Sequence, residues 1–125
     1  MPIAAASAAD RLPPGISLRI DRGRLRTIRV RGLRLALGAS EAVRASIDVR
    51  IDARTARRLH LSSRTIGRAT TRLGAAGRKT VTVRLSARAA RALRTTARLR
   101  VTAHAVAVDA AGNRRGTERA TTLQR

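Results

Sequence analysis

The residue types best suited to binding an ion lie in the stretch DAAGNRR, which begins at Asp109. Asp109 and Asn113 place side-chain oxygens around Gly112, a composition shared with calcium and phosphate loops. A calcium site needs several more oxygen ligands, and Arg114 and Arg115 would repel the cation. The same residues suit a type I turn with Asp109 first and Gly112 fourth. We therefore predict a corner between two strands, where Gly112 or Asn113 takes the left-handed conformation.

The stretch GRKT, at residues 77–80, resembles the end of a phosphate-binding loop. In such a loop a glycine directly precedes the lysine, and a helix follows. Here Arg78 separates Gly77 from Lys79, and the next residues, VTVRL, alternate as in a strand. This context predicts a hairpin turn with exposed charges.

Metal-ligating residue types are scattered along the chain. A zinc site needs three or four ligands with partners that orient them. His60 and His104 stand apart, and the patterns HxH, HExxH and DxDxDG are absent. The absence of cysteine excludes a thiolate site and a disulfide. The acidic residues are equally dispersed: Asp10, Asp21, Glu41, Asp48, Asp52, Asp109 and Glu118. We predict no metal and no cofactor.

The side chains of a nucleophilic catalyst are not grouped in any known pattern. GxSxG is absent, and LSSRT at residues 61–65 is a serine-rich loop without glycine. Asp48 and Asp52 fall on one strand face, four residues apart, where a carboxylate pair could act. Arg44 and Arg50 are close neighbours, so charge compensation is the simpler interpretation. We predict that the chain is not an enzyme.

Positive charge dominates the composition. The chain has 28 Lys and Arg against 7 Asp and Glu, for a net charge of +21, and Lys79 is its one lysine. Such a field attracts nucleic acid and other anionic polymers, and a GC-rich genome would also produce this arginine bias. There is no Phe, Tyr or Trp on which bases could stack. The candidate anion contacts, taken from outward strand positions, are Arg44, Arg50, Arg68, Arg72, Arg84 and Arg100.

Short strands must position these residues, as the alternation of apolar and polar side chains indicates. The clearest is AVRASIDVRID, in which every second residue from Val43 to Ile51 is apolar. Similar alternation occurs in GISLRI, GLRLAL, KTVTVRL and RLRVTAHAVAV, and more weakly in GRATTRL and RATTL. About seven one-sided strands with glycine-containing turns predict an all-β, immunoglobulin-like antiparallel β-sandwich.

Three segments break the alternation and predict short helical connectors. Asp52 and Ser86 suit the N-caps of connectors at 53–60 and 87–94, and RLRTIRVRG allows a helical turn. Around them we predict a flexible Ala/Pro-rich leader over 1–15 and one domain over 16–125. No run of about 18 apolar residues is present to span a membrane. The first residues lack the basic and apolar regions of a signal peptide.

Three stretches resemble bacterial immunoglobulin-like and fibronectin-III-like modules. VTAHAVAVDAAGN (101–113) is similar to their last hairpin, in which a strand ends in a D-x-x-G-N turn. RGLRLALGASEAVRASIDVRID resembles the early strands of the Arg/Ala-rich type from secreted proteins of high-GC bacteria. AAGRKTVTVRLSARAARAL resembles their mid-domain hairpin and helical connector. The resemblance covers about residues 16–124 and implies a non-catalytic spacer or adhesion unit of an extracellular or cell-surface protein.

Two functions are therefore expected. The first is a structural module whose loops and arginine-covered surface contact anionic partners such as cell-wall polymers, or neighbouring modules of the same polypeptide. The second is a small arginine-rich nucleic-acid-binding protein that makes nonspecific phosphate contacts. The resemblance implies an extracellular or cell-surface location, and the missing export signal leaves a cytoplasmic one open.

Overall fold

Seven β-strands dominate the structure, a computed structural model that describes residues 15–21 and 23–125. The strands are β1 (Ile16–Ile20), β2 (Leu33–Ala39), β3 (Val43–Arg50), β4 (Thr65–Leu73), β5 (Gly77–Val83), β6 (Arg98–Asp109) and β7 (Arg114–Gln124). Most follow the predicted alternation, because a strand places successive side chains on opposite faces. Of the leader predicted over 1–15, all but Gly15 lies outside the described residues.

The strands form two antiparallel sheets. The first sheet has the order β1–β2–β5, and the second has the order β4–β3–β6–β7. Every neighbouring pair runs antiparallel. The apolar faces of both sheets contribute to one hydrophobic core. The predicted all-β sandwich with about seven strands is confirmed.

The core between the sheets consists of aliphatic side chains. Every second residue of β3 from Val43 to Val49, and of β6 from Leu99 to Ala107, is buried as predicted. The sequence contains no aromatic residue, so Leu, Ile and Val are the largest fully buried side chains. β6 supplies three alanines to this core, Ala103, Ala105 and Ala107.

β7 is longer than the stretch RATTL that predicted it. The strand covers 11 residues, and Leu123 is its one buried residue. It pairs with β6 from Arg98↔Gln124 to Val108↔Arg114. Backbone hydrogen bonds therefore extend this strand where burial does not, and the apolar pattern carries no signal of them. From β7, Arg119 Nε also donates to the Leu18 carbonyl oxygen of β1, at 3.1 Å.

Three short helices connect the strands. They are α1 (Leu25–Arg31), α2 (Ala53–Arg58) and α3 (Ala87–Ala92), and a 3₁₀ turn over Leu93–Thr95 follows α3. Both predicted N-caps are confirmed: Asp52 Oδ1 accepts from the Thr55 N–H at 2.6 Å, and Ser86 Oγ accepts from the Ala89 N–H at 3.2 Å. Among the described residues, no helix is both long enough and apolar enough to cross a membrane.

The connector predicted at 53–60 ends earlier, because its helix stops at Arg58. His60 has a φ of +58°, and its N–H donates to the Arg57 carbonyl at 3.1 Å. The Leu61 N–H donates to the Ala56 carbonyl at 2.8 Å. These are the two hydrogen bonds of a Schellman motif, which closes a helix through a left-handed residue. The usual residue there is glycine, so the sequence did not predict this ending.

Candidate functional site

The DAAGN segment is the hairpin corner between β6 and β7. The Gly112 N–H donates to the Asp109 carbonyl at 3.1 Å, and the Asp109 N–H donates to the Asn113 carbonyl at 3.0 Å. Gly112, with a φ of +89°, is the left-handed residue. This is a type I turn followed by a left-handed glycine, one of the common three-residue hairpin loops. Of the two predicted candidates for the left-handed position, Gly112 and Asn113, the structure selects the glycine.

The Asp109 carboxylate is occupied within this corner. Its Oδ1 accepts from the Asn113 N–H at 2.8 Å, and its Oδ2 accepts from Asn113 Nδ2 at 3.0 Å. Partial burial would raise the pKa of Asp109. Hydrogen bonds from the side chain and the N–H of Asn113, and from the Ala111 N–H, outweigh that effect and hold the pKa below its ordinary value. Both oxygens therefore serve the turn.

The GRKT segment belongs to a strand. Gly77 to Thr80 open β5, and residues 74–76 connect that strand to β4 of the other sheet. The predicted hairpin turn is therefore wrong, because this connection crosses between the two sheets. The Lys79 ammonium lies 3.3 Å from the Arg72 carbonyl oxygen and donates to it. No helix follows the lysine, and the backbone of these residues pairs with β2. The geometry of a phosphate loop is not formed here.

The two histidines lie in unrelated places. His60 closes α2, and His104 on β6 stands between Asp48 of β3 and Glu118 of β7 in the sheet register. His104 Nε2 lies close to Gly116, 3.4 Å from the position that a β-carbon would take there. In the described ranges, no group of three or more His, Cys, Asp or Glu side chains could hold a metal ion.

The aspartate pair considered from the sequence has two separate structural roles. Asp48 forms ion pairs with Arg50 at 3.1 Å and with Arg68 at 3.4 Å, whereas Asp52 caps α2. Charge compensation is therefore confirmed, but one predicted partner is wrong. Arg44 does not pair with Asp48, because Asp48 lies beside Arg68 of β4 in the register.

The six candidate arginines are all exposed, and five lie on the four-stranded sheet. Arg44 and Arg50 belong to β3, Arg68 and Arg72 to β4, and Arg100 to β6. We call the surface of this sheet that faces away from the core its outer face. Arg84 directly follows β5 and borders a separate cleft of about 320 Å³ with Arg68. The hydroxyl-bearing residues Ser63, Thr65 and Ser86 line that cleft as well.

The structure brings Arg44 and Arg72 together. They are direct register partners on β3 and β4, about 4.8 Å apart in the direction of the strand pairing. The same line across the sheet continues through Val108 of β6 to Arg114 of β7. We call these four residues the arginine row. Arg114 was not among the candidates, because only the β6–β7 register places it in line with the others.

The arginine row lies at one end of the sandwich, which we call the loop end. The segments 40–42, 74–76 and 110–113 connect strands there. A cleft of about 410 Å³ opens at this end, and we call it the end cleft. Arg44, Arg72 and the apolar residues Val43, Leu73 and Val108 line it, together with Asp109 and small residues of the three connecting segments.

Comparison with known proteins assigns the chain to no family. No protein-family model matches it, and no curated protein matches it.

Proposed function

We propose that this protein is a non-catalytic module of a secreted or cell-surface protein. It acts as a spacer or adhesion unit, and its arginine-covered surface contacts anionic polymers such as those of a cell wall. The observation that carries the proposal is the position of the two points where the chain enters and leaves the sandwich.

The chain enters at the loop end and leaves at the opposite end. Gly15 is held to Ser40 by two hydrogen bonds, each 2.8 Å long. The other terminus is held at the start of β6, where the Arg125 N–H donates to the Ala97 carbonyl at 2.9 Å. β6 has 12 residues, so the entry and exit points are separated by roughly 40 Å. Modules joined through such points extend in line, which is the property a spacer needs.

The strand order supports an immunoglobulin-like or fibronectin-III-like classification. The first, second and fifth strands form one sheet, and the third, fourth, sixth and seventh form the other. In constant-type immunoglobulin domains the fourth strand joins the sheet of the first two. In this chain β4 pairs with β3, so the proposed relationship is to the variants in which the fourth strand has changed sheets.

The exposed arginines support contact with anionic polymers. A guanidinium group binds phosphate and carboxylate through paired hydrogen bonds and keeps its charge at every physiological pH. Nucleobases stack on aromatic side chains in proteins that bind single strands, and the sequence has none. The surface chemistry therefore favours recognition of charge along a polymer over recognition of nucleobases.

Small-angle X-ray scattering of fused chains tests the spacer role. Two copies of the full chain, joined head to tail, should have a maximum dimension that exceeds that of one copy by roughly 40 Å. Three copies should add the same increment again. A fused pair whose maximum dimension grows by less than half of that amount would contradict the spacer role.

A salt titration tests the anionic partner. Binding of the full chain to a purified anionic cell-wall polymer should persist at about 0.15 M salt, whereas binding to duplex DNA should be lost. Tight DNA binding at that salt, mapped to one contiguous face, would favour the nucleic-acid-binding alternative. Loss of both interactions would contradict the proposed polymer contact.

A further inference from the structure

We propose that the arginine row and the end cleft form a localised binding site for a flexible phosphodiester polymer with an aliphatic or polyol backbone. This inference rests on the proposed contact with anionic polymers and names the residues that make it. Arg44 and Arg72 bind one phosphate, Val108 contacts the carbon chain, and Arg114 binds a second phosphate.

The first observation is an uncompensated pair of like charges. Arg44 and Arg72 are register partners, and like charges directly opposite each other destabilise a sheet. The ion pairs that Asp48 forms, with Arg50 and Arg68, involve neither of these two arginines. The repulsion between Arg44 and Arg72 is relieved when an anion lies between the two guanidinium groups. Each guanidinium can then donate two hydrogen bonds to phosphate oxygens.

The second observation is the contrast between the two halves of the outer face. In the half that contains Asp48, acidic side chains stand among the others, because Asp48 faces Arg68 and Glu118 lies beside His104. In the arginine row, the side chains are Arg72, Arg44, Val108 and Arg114, with no acid among them. Asp109, the carboxylate that follows Val108 in β6, has both of its oxygens engaged by hydrogen bonds from Asn113. Positive charge is therefore concentrated at the loop end of this face.

The third observation is the apolar lining beside the guanidinium groups. Val43, Leu73 and Val108 line the end cleft next to Arg44 and Arg72. A ligand that fills this cleft needs carbon between its charges. A single polymer chain with three-carbon linkers between phosphates meets both requirements.

The test measures the affinity of the full chain for a short synthetic poly(glycerol phosphate) oligomer at about 0.15 M salt. The double variant R44Q/R72Q is compared with R19Q/R34Q, whose two exposed arginines lie on the three-stranded sheet opposite Ala36 and Thr82. Both variants lose two positive charges. We expect R44Q/R72Q to bind the oligomer at least about tenfold more weakly than the unmodified chain. The slope of log affinity against log salt concentration should fall in magnitude by about two. R19Q/R34Q should lose less than about threefold in affinity.

Arg114→Gln tests the second phosphate position. It should weaken binding of the oligomer and leave binding of glycerol 3-phosphate, which carries one phosphate, nearly unchanged. An equal loss for both ligands would show that Arg114 contributes only to the general field. Urea unfolding provides the folding control, and R44Q/R72Q should be at least as stable as the unmodified chain because the repulsion is removed.

The outcomes separate this inference from the proposed function. If the unmodified chain fails to bind the oligomer at this salt, the polymer contact itself fails and the site fails with it. If the chain binds but the two double variants weaken equally, the polymer contact stands and the localised site is overturned. If duplex DNA competes for Arg44 and Arg72 with higher affinity than the oligomer, the ligand class is wrong.

Discussion

Arg44 of β3 and Arg72 of β4 stand directly opposite each other on the outer face of the four-stranded sheet. Four register positions along, Asp48 of β3 stands opposite Arg68 of β4, and it forms ion pairs with both Arg68 and Arg50. The same two strands therefore carry one compensated position and one repulsive position. A repulsive pair raises the free energy of the folded state, so its effect should be measurable as stability.

Removing one member of the repulsive pair should stabilise the protein. Arg72→Thr should raise the free energy of unfolding by roughly 0.2–1 kcal/mol, since like charges opposite each other are destabilising by about that amount. Arg100→Thr is the control, because it makes the same substitution at an exposed strand position whose register partner, Thr122, is uncharged. Urea unfolding at low salt measures both variants. Added salt should reduce the difference between them through screening, and an equal effect of the two substitutions would contradict the repulsion.

Most of the fold could be predicted because it depends on local periodicity. The alternation in β3 and β6 identified their buried faces residue by residue, from Val43 to Val49 and from Leu99 to Ala107. The N-caps Asp52 and Ser86 were also predictable, since capping needs only a suitable side chain three residues before the N–H that it accepts from. Features that depend on pairing between distant segments were not predictable in this way.

In the candidate site, too, local features were predictable and features that depend on pairing between distant segments were not. The exposure of Arg44 and Arg72 followed from their strand positions, but their juxtaposition depends on the register between β3 and β4. That register shifts between Val49 and Arg50, where the ladder is irregular. Arg114 belongs to the arginine row only because β7 pairs with β6 over its whole length, although just one residue of β7 is buried. A pattern within one strand carries no information on either relationship.

Acid should destabilise the protein through Asp52 and Asp109. Hydrogen bonds from the side chain and the N–H of Thr55 hold the pKa of Asp52 below 3.8, and the bonds at the hairpin corner lower the pKa of Asp109. Because each pKa is lower in the folded state, the carboxylate contributes stability above pH 3.8, the value for the unfolded chain. That contribution is lost as the pH falls through the lower folded value.

Urea unfolding at a series of pH values, between about pH 5 and pH 2, measures how the free energy of unfolding changes with pH and tests this expectation. Asp52→Asn and Asp109→Asn keep a side-chain oxygen acceptor but remove the titrating group. Each variant should therefore lose less stability on acidification than the unmodified chain. Identical pH slopes in all three proteins would show that neither carboxylate is coupled to folding.

Replacing His60, the left-handed residue that closes α2, with glycine should stabilise the protein. His60 has a φ of +58°, a conformation in which its β-carbon is crowded. His60→Gly should raise the free energy of unfolding by up to about 1 kcal/mol, because glycine adopts this conformation without that cost. His60→Ala keeps a β-carbon and should give no such gain. Thermal unfolding of both variants measures the difference, and equal melting temperatures would contradict the role of the backbone conformation.

The hairpin corner offers a matched pair of glycines. Gly112 has a φ of +89°, whereas Gly74 has an ordinary φ, and in both places a β-carbon would meet open space. Gly112→Val should therefore destabilise the protein through backbone strain alone, by about 1–2 kcal/mol, and Gly74→Val should have little effect. Asp109→Ala should cost less than Gly112→Val, because the backbone hydrogen bonds of the turn remain. Amide hydrogen exchange along β6 and β7 locates the effect: Gly112→Val should accelerate exchange nearest to Asp109 and Asn113. Similar stability losses from the two valine substitutions would show that the left-handed glycine does not determine this hairpin.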